Sequence, residues 1–499
     1  MKNPTYLLGY DIGSSSIKAS LLNSDNGQGF ASAQSPRKEL EILSPKADWA
    51  EQNPETWWNH VKLATEELLR DTEINPAQIA AIGITYQMHG LVLVDKNKNV
   101  LRPSIIWCDS RAAEIGKKAF ETIGPETCLK HFLNSPGNFT ASKLKWVQEN
   151  EPQIYEKIDK IMLPGDYIAM KLTGEITTTV TGLSEGIFWD YTTGAKASLL
   201  LDHYGISEDL LPEALSSFET GGHLTESAAQ ELGLKKGTPV TYRAGDQPNN
   251  AFSLNALNPG EAAANAGTSG VIYGVSDQPV YDEKSRVNTF VHVNHQAEKP
   301  RYGVLLCING TGILYRWIKE QLIRNETISY EEMNNMALNT PIGSGGISVL
   351  PFGNGAERIL ENKNPGAHFS GVHFNRHSTG HLLRAAQEGI VHSLNYGFTI
   401  MNAMQMKSAT VKAGRANMFL SPLFREAFVN TTGSVLELYK TDGAEGAARG
   451  AGIAPGIFSS FEDSFEGLKI IETIEPDQEK MELYGESYQR WLHQLNQKT

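Results

Sequence analysis

Hydrophobic positions along the chain fall into short runs that stop at small or polar residues, the pattern of buried strands in an α/β protein. Tyr6-Leu-Leu-Gly-Tyr10 and Ile17-Lys-Ala-Ser-Leu-Leu22 flank Asp11-Ile-Gly-Ser-Ser-Ser16, which predicts strand, polar turn, strand. Glu261 to Val275 repeats that plan, with Gly267-Thr268-Ser269-Gly270 at the turn. Two hairpins of one design predict two related domains facing one cleft, 1–255 and 256–499, with the boundary around Asn255 to Pro259. Asn53-Pro54 reads as the cap and first residue of a helix carrying Val61, Ala64 and Leu68 on one side. Ile79–Thr85 reads as a buried strand leaving through Tyr86-Gln87-Met88-His89-Gly90, and Ser104–Trp107 as another leaving through Cys108-Asp109-Ser110-Arg111 into a helix. Thr238–Ala244 ends in the same way at Gly245-Asp246-Gln247. Polar residues thus gather where strands end, the usual place for a site in such folds. In the second half, Leu382, Leu383, Ala386, Ile390, Val391 and Leu394 recur at helical spacing, predicting a helix from about Thr379 that Gly397 interrupts near its end. Ala409–Ala413 predicts a short strand, and Gly443–Ala454 a small-residue helix suited to close packing.

Composition narrows the function classes. The 499 residues are 40% hydrophobic and 20% charged, enough apolar material for more than one core. A net charge of -13 with scattered Lys and Arg lacks the positive field that nucleic acid requires. The apolar run at Leu7 and Leu8 is broken by Gly9, Tyr10 and Asp11, too soon for a signal or membrane-spanning segment. Cys108, Cys128 and Cys307 are odd in number and far apart, giving neither a disulfide framework nor a zinc spacing. The expectation is a cytoplasmic protein whose partners include neither nucleic acid nor membrane. His368, His373, His377 and His381 hint at a metal site, but Gly371 and Gly380 interrupt any aligning helix, so they read as loop histidines. Trp49, Trp57 and Trp58 read as packing around a helix start.

Two stretches carry candidate chemistry. In Asp11–Ser16, glycine and small hydroxyl residues let backbone N–H groups approach a phosphate, and Asp11 can hold Mg2+ through water; alone, the stretch reads sooner as a plain hairpin turn. Asp246 stands at a strand's carboxyl end, where a carboxylate can take the proton of a substrate hydroxyl during phosphoryl transfer; alone, Gly245-Asp246 is equally an Asx turn. The G-x-x-x-x-G-K-[ST] and G-x-G-x-x-G patterns are absent.

Taken in order, these segments resemble the FGGY carbohydrate kinases from end to end, and the xylulokinase branch most. The likeness is carried by Asp11-Ile-Gly-Ser-Ser-Ser-Ile-Lys18, Trp49 to Trp58, Gln87-Met-His-Gly90, Trp107-Cys-Asp-Ser-Arg111, Asn138 to Trp146, Leu163-Pro-Gly-Asp-Tyr167, Gly245-Asp-Gln247, Gly267-Thr-Ser-Gly270 and the stretch from Ser370 to Glu388. The resemblance implies two actin-like (ribonuclease H-like) ATPase domains around a central cleft and transfer of phosphate from ATP to a ketose, D-xylulose before any other. It implies Asp246 as general base, Asp11 as the Mg2+ residue, and a sugar held by Gln87, Met88, His89, Asp109, Asp246 and Gln247. It implies ATP held by Gly13, Ser14, Ser15, Lys18, Gly267, Thr268, Gly414 and Arg415. Sugar and ATP are then the partners, with room for a homodimer. The chain departs from the pattern at Gln247, where xylulokinases usually have asparagine, at Ala413-Gly414-Arg415, where Gly-Gly is usual, and at Glu426, where glutamine is common. Rival readings are a kinase for ribulose, gluconate or glycerol, a sugar-responsive protein without chemistry, and an actin-like or chaperone ATPase.

Overall fold

Five apolar runs pair into one sheet: β1 (Tyr6–Ile12), β2 (Ile17–Asn23), β3 (Gln28–Ser35), β4 (Ile79–Tyr86) and β5 (Val240–Gly245), in the order β5-β4-β1-β2-β3. The coordinates, a computed structural model, describe residues 4–324 and 327–499. Strand β2 runs antiparallel to its neighbours β1 and β3, while β4 lies parallel to β1 and β5 parallel to β4. Register does the rest: Ile12 pairs with Tyr86, and Tyr86 with Gly245, so three parallel strands end in one row. The residues that follow, Gly13, Gln87 and Asp246, are therefore delivered to the same edge.

A second sheet holds β6 (Glu261–Ala266), β7 (Gly270–Ser276), β8 (Asn288–Val291), β9 (Tyr302–Ile308), β10 (Thr410–Gly414), β11 (Val435–Tyr439) and β12 (Ile470–Ile474), in the order β8-β9-β7-β6-β10-β11-β12. Its run β9-β7-β6-β10-β11 repeats the strand order β3-β2-β1-β4-β5, with the hairpin antiparallel and the next two strands parallel, as in the first.

Helices in chain order include α1 (Pro54–Thr72), α2 (Thr140–Asn150), α3 (Val180–Glu185), α4 (Asp246–Ser253), α5 (Gly312–Trp317), α6 (Thr379–Ala403), α7 (Pro422–Thr432), α8 (Gly443–Ala451) and α9 (Gln478–Lys498). The Asn53 side chain accepts from Glu55 N at 3.0 Å with Pro54 at the first helical position, and α1 buries Trp57, Val61, Ala64 and Leu68. The chain forms two compact units, one of Met1–Asn255, Phe290–Tyr302 and Thr441–Leu468, the other of Ala256–Thr289, Gly303–Lys440 and Lys469–Thr499. Each has its own apolar core, one around β1, β2 and α1, the other around α6. No helix among the described residues is long and apolar enough to cross a membrane.

Helix α8 belongs to the first unit and lies directly on the first sheet. A Cβ on Gly9 would overlap the Ala444 carbonyl, and one on Gly83 the Ala447 carbonyl; from the helix side, a Cβ on Gly446 would stand 2.6 Å from Ser253 Cβ. This is the close packing its composition predicts, although it stops at Ala451 rather than Ala454. Two expectations fail. Helix α6 runs straight through Gly397, whose missing side chain makes room for Leu306 rather than ending the helix. The strand expected over Ser104–Trp107 is confined to Ser104–Ile105, because its partner Glu51–Gln52 offers only two residues to pair with, and Trp107 is 48% exposed.

Candidate functional site

At the carboxyl edge of the first sheet stand two part-buried carboxylates. Asp11 faces Lys18 across the hairpin ladder, and its Oδ2 lies 2.6 Å from where a Cβ on Gly443 would sit, over the first residue of α8. Burial pushes its pKa up to about 6, Lys18 opposes that, and Asp442 adds to it. Asp246 opens α4 directly after β5, so the Asx turn gives way to a helix start. Burial, then the charge of Asp11, push Asp246 up to about 7 against hydrogen bonds from Gln247. Two buried-edge carboxyls held near neutral pH, one of them raised by the charge of the other, suit proton transfer and the binding of a cation.

Beside Asp246 lies the exit of β4. Gln87 is 3% exposed; its N donates to Ile12 O at 2.9 Å and its Nε2 to Gln52 Oε1 at 3.2 Å, while Oε1 has no partner. Met88 is buried, with Cγ 2.5 Å from the position of a Cβ on Gly245. His89 takes φ +62°, the left-handed region, and three groups hold it there. Its N donates to Glu185 Oε1 at 3.1 Å, its Nδ1 to Glu185 O at 3.0 Å, and its carbonyl accepts from Lys143 Nζ at 2.9 Å. The ring packs edge-on to Phe139 at 4.8 Å. Lys143 is fully buried, also donates to Ile106 O at 2.9 Å, and is pulled down to about 7 chiefly by burial. Glu185 and Lys143 were assigned no role by sequence reasoning: Lys143 lies within a motif, whereas Glu185 follows a stretch of small residues with no pattern to mark it.

The carboxylate of Asp109 is held by backbone and guanidinium donors. Fully buried, it accepts from Ala50 N at 2.6 Å, Arg111 N and Nε at 2.9 Å and Arg111 Nη2 at 2.6 Å. Arg111 in turn pairs with Glu51 at 2.7 Å and lies 3.7 Å from the centre of the Trp49 ring, so Trp49 serves packing. Gln247 is half-buried with Oε1 unpartnered. Around the first hairpin tip, Gly13 N donates to Ser16 O at 3.1 Å, Ser14 O accepts from Gln52 Nε2 at 2.7 Å, and Ser15 O accepts from Leu40 N at 2.7 Å.

In the second unit, the hairpin tip turns its carbonyls toward the start of α5. Gly267 O accepts from Gly312 N and Thr311 Oγ1, both at 2.8 Å, and Thr268 O from Thr311 Oγ1 at 3.1 Å. Gly414 ends β10 and Arg415, exposed, donates its N to Tyr439 O at 2.9 Å. Glu426 is taken up by Lys480 Nζ at 2.5 Å and Tyr484 OH at 3.0 Å, a tie from α7 to α9. Of the four histidines read as loop residues, His368 lies in a short strand and His381 in the first turn of α6, where Ser378 Oγ and its ring meet at 3.0 Å.

Comparison with known proteins bears on this arrangement. Residues 6–253 match the N-terminal domain of the FGGY family of carbohydrate kinases. The xylulose kinase of Escherichia coli (strain K12) is 29% identical over 500 residues, covering 98% of this chain and 99% of that protein. The L-xylulose/3-keto-L-gulonate kinase of the same organism is 29% identical over 509 residues, covering 98% and 96%. Among solved structures, the ligand-bound xylulose kinase of Lactobacillus acidophilus has a TM-score of 0.89 at 22% identity, covering 99% of this chain and 98% of that one, which shows a shared fold.

Proposed function

We propose that this chain, which belongs to the FGGY family of carbohydrate kinases and is built of two actin-like ATPase domains, moves the γ-phosphoryl group of ATP to the 5-hydroxyl of D-xylulose. The products are D-xylulose 5-phosphate and ADP. The observation that carries the chemistry is Asp246, a part-buried carboxylate at a strand end with its pKa pushed to about 7. In its ionised form Asp246 takes the hydroxyl proton as the oxygen attacks phosphorus and the bond to the ADP oxygen breaks. Phosphoryl transfer has a loose transition state, so the remaining task is to position the reactants and offset charge.

Asp11 supports the second part of that task. The repulsion among Asp11, Asp246 and Asp442 is of the kind a divalent cation relieves, and Mg2+ takes one or two carboxylates while keeping several waters. Asp11 would hold Mg2+ through water, and the ion would offset phosphate charge. Gly13, Ser14, Ser15 and Lys18, with Gly267, Thr268, Gly414 and Arg415, would hold ATP. His89, the Met88 backbone, Gln87 and Gln247 would hold the sugar with Asp109, whose carboxylate also fixes Arg111.

The two Escherichia coli relatives are named for xylulose and for L-xylulose or 3-keto-L-gulonate. Both names describe keto sugars, which supports a ketose here and makes the D configuration the finer part of the proposal. A coupled assay for ADP over D-xylulose, L-xylulose, ribulose, gluconate and glycerol tests it. D-xylulose should give the highest kcat/KM, and strong turnover of glycerol or gluconate with none of either xylulose would overturn the reading.

A further inference from the structure

Glu185 has no part in the chemistry above, yet it touches both ends of the proposed sugar site. It is the last residue of α3 and is 1% exposed. Its Oε1 accepts from the backbone N of His89, and its own carbonyl accepts from His89 Nδ1. Its other oxygen, Oε2, is buried without a hydrogen-bond partner and lies 2.5 Å from where a Cβ on Gly245 would sit. One residue therefore reaches from His89 to the glycine preceding Asp246.

Three features of this contact go together. First, φ +62° is uncommon for a residue with a side chain, and surrounding groups must hold it. The bonds from Glu185 and from Lys143 to the two backbone groups of His89 do so. Second, a carbonyl can only accept, so Nδ1 carries a ring proton, and in the neutral imidazole Nε2 is then the acceptor. Third, the carboxyl group is poorly placed to be an anion. One oxygen receives a single N–H and the other nothing, and the ammonium of Lys143 donates to the carbonyls of His89 and Ile106. Burial raises the pKa of Glu185 well above the carboxylate range, and Asp246 and Asp166 add to this, while the His89 N–H and Lys143 oppose it.

We propose that Glu185 is a positioning residue of the sugar site that works as a neutral carboxylic acid, holding His89 in its left-handed conformation so that the ring meets the sugar through Nε2 as acceptor. The sugar's part in this rests on the kinase reading above; the hold on His89 does not. A sugar hydroxyl facing Nε2 would have to donate, so Glu185 acts on selectivity without touching the substrate.

Glu185→Leu keeps the bulk and removes both oxygens, whereas Glu185→Gln keeps a neutral acceptor for the His89 N–H. The readouts are KM for D-xylulose and for ATP, and the ring 15N shifts of His89, assigned by their loss in His89→Gln. E185L should raise the sugar KM on the order of tenfold, the weight of one buried hydrogen bond, while moving the ATP KM by less than about twofold. With the His89 backbone no longer held by the carboxyl group, Nδ1 should lose its register with the residue-185 carbonyl, and the ring should pass from one tautomer to a mixture. E185Q should recover most of both effects. Where E185L does not fold, Glu185→Asp, which withdraws the oxygen by one methylene, takes its place and should behave in the same way. An unmoved His89 ring in E185L overturns the proposal, and E185Q as impaired as E185L overturns the neutral acid. If the wild-type protein phosphorylates no sugar but its ring signals respond to E185L and not to E185Q, the kinase reading falls and the positioning role stands.

Discussion

The two hairpins, β1–β2 and β6–β7, occupy the same place in the same strand order, yet their tips are equipped differently. The first pairs Asp11 with Lys18 in its ladder and has Asp246 delivered beside it by β5. The second pairs Ala262, Ala263, Ala264, Asn265 and Ala266 with Gly274 to Gly270, and it carries no ionisable side chain at its tip. Its loop carbonyls are taken up by Thr311 and Gly312, a backbone arrangement rather than a charged one. A repeated scaffold thus sets where loops stand, and the residues at strand ends decide what they do. Under the proposed function, proton chemistry would fall to the first hairpin's edge, and the second offers small neutral residues suited to phosphate.

The largest test of that division is Asp246→Asn, which should leave the fold intact and lower kcat by about 10² to 10⁴, the usual weight of a general base. Linkage gives a second reading from the same variant. Because the folded pKa of Asp246 is raised to about 7, above an unfolded value near 3.9, the native state binds the extra proton and wild-type stability falls as pH rises between the two. D246N should therefore melt above wild type at pH 8, with the gap closing toward pH 4. An unchanged kcat with normal circular dichroism would place the base elsewhere.

That edge was legible in the sequence because its signals are local. Asn53-Pro54 caps α1 as composition suggests, and the apolar run Ile79–Tyr86 ends where polar residues begin. What escaped depends on partners distant in the chain. Gly443–Ala451 announces close packing, but nothing local names Gly9 and Gly83 as what it packs against. Gly397 reads as a break until Leu306 is seen to fill its side. Glu185 sits on a short helix with no period to mark it, and only the left-handed turn at His89 gives it meaning.

His89→Ala comes next in size. If the ring bonds a sugar hydroxyl, its loss should raise the sugar KM about tenfold and leave the ATP KM within about twofold. Equal rises in both would blur the comparison, marking His89 as a support of the whole edge rather than of the sugar.

A smaller effect separates the two carboxylates of the first hairpin's edge. The base must be ionised, so kcat/KM should decline as pH falls below about 7. Asp11 is the second-largest cause raising Asp246, so Asp11→Asn should move that decline to lower pH, measured at saturating MgATP to offset weaker metal binding. A profile unmoved by D11N would mean the two carboxyls do not act on each other.

The smallest effect probes the second hairpin. A Cβ on Gly267 would meet nothing nearer than Asn417 Nδ2 at 3.4 Å, and its φ is not positive, so Gly267→Ala should fold and melt like the wild type to within about 0.5 kcal/mol. Gly9, whose Cβ would overlap the Ala444 carbonyl, is the contrasting case: there alanine should lower stability by about 1–3 kcal/mol. If the second tip approaches phosphate with its backbone, the added methyl of G267A stands in the way and should raise the ATP KM a few-fold, roughly 1 kcal/mol, with the sugar KM unmoved. An ATP KM equal to wild type would make the second hairpin an architectural copy of the first and move nucleotide recognition to other loops, Gly414-Arg415 first among them.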